Sequence, residues 1–365
     1  MITLNRRLRM ASGSALCAGD WVQVKSKEEI LASLDLEGNL ERMPFMPEML
    51  KYCGQRFRVY KRAHKTCDYS KTMESRQVPS AVHLEGLRCS GEAHGGCQAE
   101  CLLFWKEAWL NPVEGPSAPP GARVGAQVSG KTAPPSGGAG GCTEAHLHAA
   151  TRELTESEAV YSCQATRIPR FTTALPPSDL SQYVEAYASG NFRLLEMFPP
   201  IIFRVCQRIM NSRLNATGIA MRVYDFVQRL HGGLPYPYRP GLIPPGEKTP
   251  RGEPLNLKPG ECVRVKSFKE ILSTVNREGL NRGLLFSQEL VPYCGNVFRV
   301  HSRVSRIIDE KNGKMLNFKN DCIILENVIC QARYNAGLSF CPRSNYPYWR
   351  EIWLERAGPG EVPQM

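Results

Sequence analysis

The sequence predicts an α+β fold, mainly β, made of two duplicated small SH3-like β-barrel modules with a helical segment between them. Three observations predict it. Shifting the chain on itself by 241 positions lays Gly19–Cys89 onto Gly260–Cys330 without a gap, with 20 identities over the 50 positions from Gly19 to Asp68. Within each copy, short apolar–polar alternations, the period of a half-buried strand, are separated by turn residues. A stretch rich in Pro, Gly, Ala and Ser follows the first copy, and helical periodicity precedes the second. A period this long marks duplicated domains, whereas solenoid units repeat every 20–50 residues or so.

The elements follow in order. Residues 1–18 read as an N-terminal tail, and residues 19–110 as copy one of the module. Trp21-Val-Gln-Val-Lys25 alternates as a strand, Lys27–Leu34 is a short helix, and Met46–Tyr52 is a second helical turn closed by Gly54. Arg56–Arg62, Val82–Leu84 and Leu103–Trp109 alternate again. Residues 111–150 form a flexible linker whose composition cannot bury a core. The helical segment spans 151–232. In it Leu180–Ser189 is a helix ended by Gly190, and Ile201–Leu230 is one or two helices broken at Gly218. Residues 233–259 make an extended Pro-rich connection, 260–356 copy two, and 357–365 a C-terminal tail. After a three-residue insertion, Trp105, Trp109 and Leu110 recur as Trp349, Trp353 and Leu354.

At 365 residues and 42% hydrophobic content, the chain has the composition of a soluble globular protein. No apolar run approaches a membrane span, and the basic start lacks the apolar middle of a signal peptide, so a cytoplasmic location is expected. The 14 cysteines are then reduced thiols or metal ligands before they are disulfides. The net charge of +11 is unevenly spread. Copy one holds 13 basic and 13 acidic residues, copy two 15 and 10. Modules that differ in this way were not built around a shared polyanion site, which argues against a nucleic-acid-binding protein.

Cysteine placement is the strongest chemical signal. Cys67, Cys89, His94, Cys97 and Cys101 of copy one lie at short spacings around Gly-containing turns, so that soft ligands can converge on one zinc. Copy two retains Cys330 and Cys341 and adds Cys322, but has Ile308, Leu338 and Asn345 where copy one has Cys67, His94 and Cys101. It is the weaker candidate. If positions 67 and 81 face each other across paired strands, Cys322 replaces the lost cysteine. Cys53 and Cys294, in Tyr-Cys-Gly, read as core thiols. Thiol catalysis would need an adjacent base, for which His83 and His94 are the candidates, but neither recurs in copy two. No phosphate-binding, dinucleotide-binding, zinc-protease or serine-hydrolase motif occurs.

Two further groups stand out. Trp105 with Trp109, and Trp349 with Trp353, sit four apart, the spacing of one strand face. They read as core packing or, with Arg343, Tyr346 and Tyr348, as an aromatic ligand-binding face. Arg204, Arg208, Arg213, Arg222 and Arg229 punctuate an apolar helical stretch, which packs between domains or lies on an anionic membrane surface or a protein partner.

Tyr52-Cys-Gly54 with Phe57-Arg-Val59, their second-copy counterparts, and Cys341–Arg356 resemble stretches of uncharacterised bacterial proteins with two such modules joined by a helical segment. The resemblance spans most of the chain outside the linker and implies the fold without an activity. The expected function is a non-catalytic binding or scaffold protein with zinc as the one cofactor, acting through bivalency toward a ligand or protein partner. The alternatives are a metal- or thiol-dependent enzyme of a bacterial biosynthetic pathway with its site in copy one and, second, a nucleic-acid-binding protein resting on net charge and barrel shape.

Overall fold

The computed structural model of the chain describes residues 15–69, 74–115, 141–154, 158–210, 218–230, 233–335, 337–358 and 360–364. The architecture is mixed α+β, with several small sheets and a half-barrel. The chain forms two compact units. One comprises Met1–Cys97, Leu102–Phe192 and Ile308–Met315, the other Gln98–Cys101, Arg193–Ile307 and Leu316–Met365. The expected 151–232 segment is therefore divided at Phe192.

Unit one contains β1 (Trp21–Val24), α1 (Lys27–Ser33), β2 (Arg56–Arg62), β3 (Lys65–Asp68), β4 (Glu74–Gln77), β5 (Ala81–Leu84), β6 (Trp105–Lys106) and β7 (Leu110–Val113). These are followed by α2 (Glu144–Ala150), α3 (Gln164–Phe171), β8 (Thr173–Ala174) and α4 (Ser181–Ala188). A five-stranded sheet runs β6-β5-β2-β1-β7, and a smaller one β8-β4-β3. The alternation expected in β1 is present: Val22 and Val24 are buried while their neighbours are half-exposed. α1 starts at a capping box in which the Ser26 hydroxyl accepts from Glu29 N at 3.2 Å and the Glu29 carboxylate accepts from Ser26 N at 2.9 Å. Ile30 is the helix residue driven into the core.

The core of unit one centres on Phe45, edge-on to Trp105 (6.1 Å) and Trp109 (5.1 Å). The two indoles do not share a strand, as their spacing predicts. Trp105 lies in β6, a 3-10 turn spans Glu107–Trp109, and that turn brings the second indole back to the same core. Cys67 pairs with Ser75 across β3 and β4, whereas Ala81 pairs with Lys106 across β5 and β6, so positions 67 and 81 are not opposite one another. Most of the expected linker, residues 116–140, lies outside the described residues, but its last part is helical: α2 buries Leu147 against Gly38. α3 docks through Gln164, whose side-chain amide donates to Pro44 O (3.0 Å) and Phe104 O (2.9 Å) and accepts from Phe104 N (2.8 Å).

Unit two contains α5 (Leu194–Met210), α6 (Ile219–Leu230), β9 (Cys262–Val265), α7 (Phe268–Leu272), β10 (Val297–Ile308), β11 (Met315–Leu325) and β12 (Leu354–Arg356). Its sheet runs β11-β10-β9-β12. Val263 opposes Phe298 across β9 and β10, and Val22 opposes Phe57 across β1 and β2. Ser267 and Glu270 make the capping box of α7. Phe286 stands edge-on to Trp349 (6.2 Å) and Trp353 (5.2 Å). α5 starts seven residues before the expected Ile201 and runs through Pro199 and Pro200, while Gly218, at φ +69°, precedes α6 where a break was expected. Arg213 lies outside the described residues.

One buried histidine makes unit one sensitive to acid. His64, at the turn between β2 and β3, is 4% exposed, and its Nε2 has no hydrogen-bond partner. Burial, with Lys65 beside it, pushes its imidazole down to about 3. A histidine held neutral by the fold stabilises it fully above the ordinary value of about 6.5, and that contribution is lost as pH falls toward the folded value. Urea unfolding followed between pH 7 and pH 4 should therefore show falling stability, by several kcal/mol at most. His64→Phe should flatten that profile; an unchanged slope in the variant would assign it to other groups.

Candidate metal centre

Two short segments build the site. A 3-10 helix, Pro47–Tyr52, follows the buried Phe45 and Met46 and carries Glu48 in its first turn, so packing of this turn against the core takes the carboxylate inside. Gly54, at φ +75°, ends that turn. After β5 the chain folds over the carboxylate in a loop whose shape depends on Gly91. Its carbonyl accepts from His94 N (3.1 Å) and Gly96 N (2.9 Å). Its φ is +74°, and a Cβ there would lie 2.0 Å from Cys97 O, so only glycine fits. This turn brings His94 back onto Cys89. Thr151 holds the loop from outside, its hydroxyl donating to Ala93 O at 2.7 Å.

Glu48, Cys89 and His94 converge. Cys89 Sγ lies 3.3 Å from Glu48 Oε1 and 3.3 Å from His94 Nε2, and His94 Nδ1 is 3.6 Å from the same carboxylate oxygen. The Glu48 and His94 side chains are 2% and 1% exposed, and Cys89 is half-buried. Taking one ligand atom from each residue, the three lie within 4.8 Å of one another, close enough to hold a metal ion. Ligand atoms bonded at about 2.0–2.3 Å to a tetrahedral ion stand roughly 3.3–3.8 Å apart. The two sulfur edges match that separation without movement. Glu48 Oε2 and His94 Nδ1 are buried with no hydrogen-bond partner, a costly state for a carboxylate and an imidazole in a dry site. A cation held on Cys89 Sγ, His94 Nε2 and the carboxylate would offset the charge of the buried Glu48. Burial lowers the His94 pKa while Glu48 raises it, so the net preference is for the neutral, ligating imidazole.

The other expected ligands lie elsewhere. Cys67 is buried in β3. Cys97 is buried at the end of the loop, its sulfur accepting from Ile308 N at 3.3 Å. Cys101 belongs with unit two. Among the described residues, no second such group forms, so Cys322, Cys330 and Cys341 do not converge. Burial pushes the Cys322 thiol up to about 11 and the Cys294 thiol up to about 12, which keeps both protonated at neutral pH. The aromatic face is also absent in the expected form. Trp105, Trp109, Trp349 and Trp353 are fully buried and Arg343 is 1% exposed, because the rings fill the two cores. Tyr346 and Tyr348 are half-buried, packing against His301 (5.4 Å) and Phe318 (6.3 Å).

Glu48 was missed by the sequence reasoning, although the 241-residue shift lays it on an identical residue, Glu289. That residue lies in the matching 3-10 helix Gln288–Tyr293. There the loop after Cys330 supplies backbone amides. Arg333 N and Tyr334 N donate to the Glu289 carboxylate at 3.1 and 2.6 Å. Burial still raises the Glu289 pKa, against the lowering effect of those amides. No protein-family model, curated protein or solved structure matches this chain.

The two carboxylates should therefore respond differently to neutralisation. Glu289→Gln removes a well-bonded acceptor and should lower unfolding stability by about 1–3 kcal/mol, with or without chelator. Glu48→Gln should destabilise only the metal-replete protein and leave the chelated protein no less stable than the parent. Urea titrations in zinc and in chelator check both.

Proposed function

We propose that this chain is a non-catalytic binding or scaffold protein of two related SH3-like modules, the first locked by zinc held on Glu48, Cys89 and His94. The observation that carries the zinc lock is the convergence of a thiol, an imidazole and a carboxylate from two segments of the chain, with the imidazole and the carboxylate buried. Zinc suits this donor set because it accepts sulfur, nitrogen and oxygen together in tetrahedral geometry. Burial of Glu48 and His94 favours a structural role for the ion over a site open to substrate.

Several pairs of features support the duplication. They include the two capping boxes at Ser26 and Ser267, the strand registers of Val22 and Val263, and the two Phe–Trp–Trp cores. Two related modules on one chain would gain effective concentration toward a repeated ligand. An enzyme with its site in copy one is the alternative, favoured by one observation: the order sulfur, imidazole, carboxylate from Cys89 through His94 to Glu48 is also that of an activated thiol.

Metal analysis of protein purified under reducing conditions should find one zinc per chain. Cys89→Ser and His94→Ala should lose it, while Cys67→Ser and Cys101→Ser should keep it. Absence of stoichiometric metal in the parent would end the zinc assignment. Rapid alkylation of Cys89 in the chelated protein at mildly acidic pH, abolished by His94→Ala, would favour the thiol enzyme.

A further inference from the structure

Most of the exposed large apolar side chains of unit two, among the described residues, lie on α5 and α6. On α5, Leu194, Phe198, Ile201, Val205 and Ile209 are 57%, 50%, 46%, 54% and 44% exposed, and their spacing lines one face of the helix. On α6, Ile219, Val223, Phe226, Val227 and Leu230 do the same, at 43–67% exposure. The opposite faces are anchored. α5 buries Met197, Pro200 and Phe203, and Phe203 packs on Tyr236 and Tyr334 at 6.0 and 5.2 Å, while Tyr224 of α6 meets Tyr236 at 5.6 Å. These helices are thus held with their apolar stripes turned outward. Two helices that each carry an exposed apolar stripe of five large side chains mark an interaction site.

We propose that the α5–α6 face docks on an anionic membrane surface, with both helices lying in the plane of the headgroups. Charge decides the occupant. Arg193, Arg204, Arg208, Arg222 and Arg229 lie on or beside these helices against only two acidic residues, Glu196 and Asp225. Asp225 is paired with Arg239, and Glu196 accepts from Arg193 N at 2.8 Å. Both carboxylates are engaged within the fold. Arg222 and Arg229 are exposed, seven residues apart, on one flank of the α6 stripe, and Arg208 is exposed beside that of α5. From a flank the long side chain reaches headgroup phosphates while its stem stays on apolar surface. A second copy of the chain is a poorer occupant, since it would bring two arginine-rich faces together. No helix among the described residues is long and apolar enough to cross a membrane, which agrees with helices lying on one.

Co-sedimentation of the full chain with vesicles tests this. It should bind phosphatidylcholine vesicles containing phosphatidylserine and bind pure phosphatidylcholine at least about tenfold more weakly. The Val223→Glu/Phe226→Glu double variant should abolish binding. Arg222→Glu/Arg229→Glu should weaken binding to the anionic vesicles by at least about tenfold, with near-parent residual affinity for neutral ones. All four positions are exposed, so circular dichroism and the thermal midpoint should stay those of the parent. Equal binding to both vesicle types, no binding to either, or self-association that the Val223→Glu/Phe226→Glu variant removes would overturn the proposal. Zinc content plays no part in the readout, so its outcome is separate from that of the metal site.

Discussion

A carboxylate taken inside at the first turn of a 3-10 helix must be compensated, and in each half of this chain the loop that follows β5 or β11 is what faces it. Leaving a charged group in a dry interior costs several kcal/mol, comparable with the whole margin of stability of a domain. The turn that buries Glu48 packs beside Phe45 and the two tryptophans, so it cannot expose the acid without opening that core. The same holds for Glu289 beside Phe286, Trp349 and Trp353. The acid is therefore a fixed demand, and the loop is where the two halves differ.

In unit two the demand is met by main-chain amides of Arg333 and Tyr334, which require no side chain of a given type. In unit one a cysteine and a histidine face the acid, an arrangement that supplies too few donors for the carboxylate alone but a good donor set for a cation. Gly91 links sequence to this chemistry: it permits the tight turn that returns His94 to Cys89. Leu338, near the matching place in unit two, is buried as ordinary core.

Much of the local structure was legible in the sequence, because local signals carry it. The β1 alternation, the Ser26 and Ser267 helix starts, the Gly54 stop and the Gly218 break each depend on neighbours a few residues apart. The site was legible only in part. Cys89 and His94 lie five residues apart and stood out, but Glu48 is 41 residues from Cys89 and reads as a solvated acid in a short amphipathic turn. Its identity with Glu289 was the available signal. The cysteine spacing also drew in Cys67, Cys97 and Cys101, which strand register and loop path carry elsewhere. Tryptophan spacing implied one strand because the 3-10 turn between Trp105 and Trp109 leaves no mark in an apolar–polar pattern.

Zinc-edge X-ray absorption of the purified protein probes the central claim most directly, because it reads the donor atoms themselves. A site on Glu48, Cys89 and His94 predicts one sulfur at about 2.3 Å and nitrogen or oxygen scatterers at about 2.0–2.2 Å. A spectrum with two or more sulfur ligands, or with none, would contradict it.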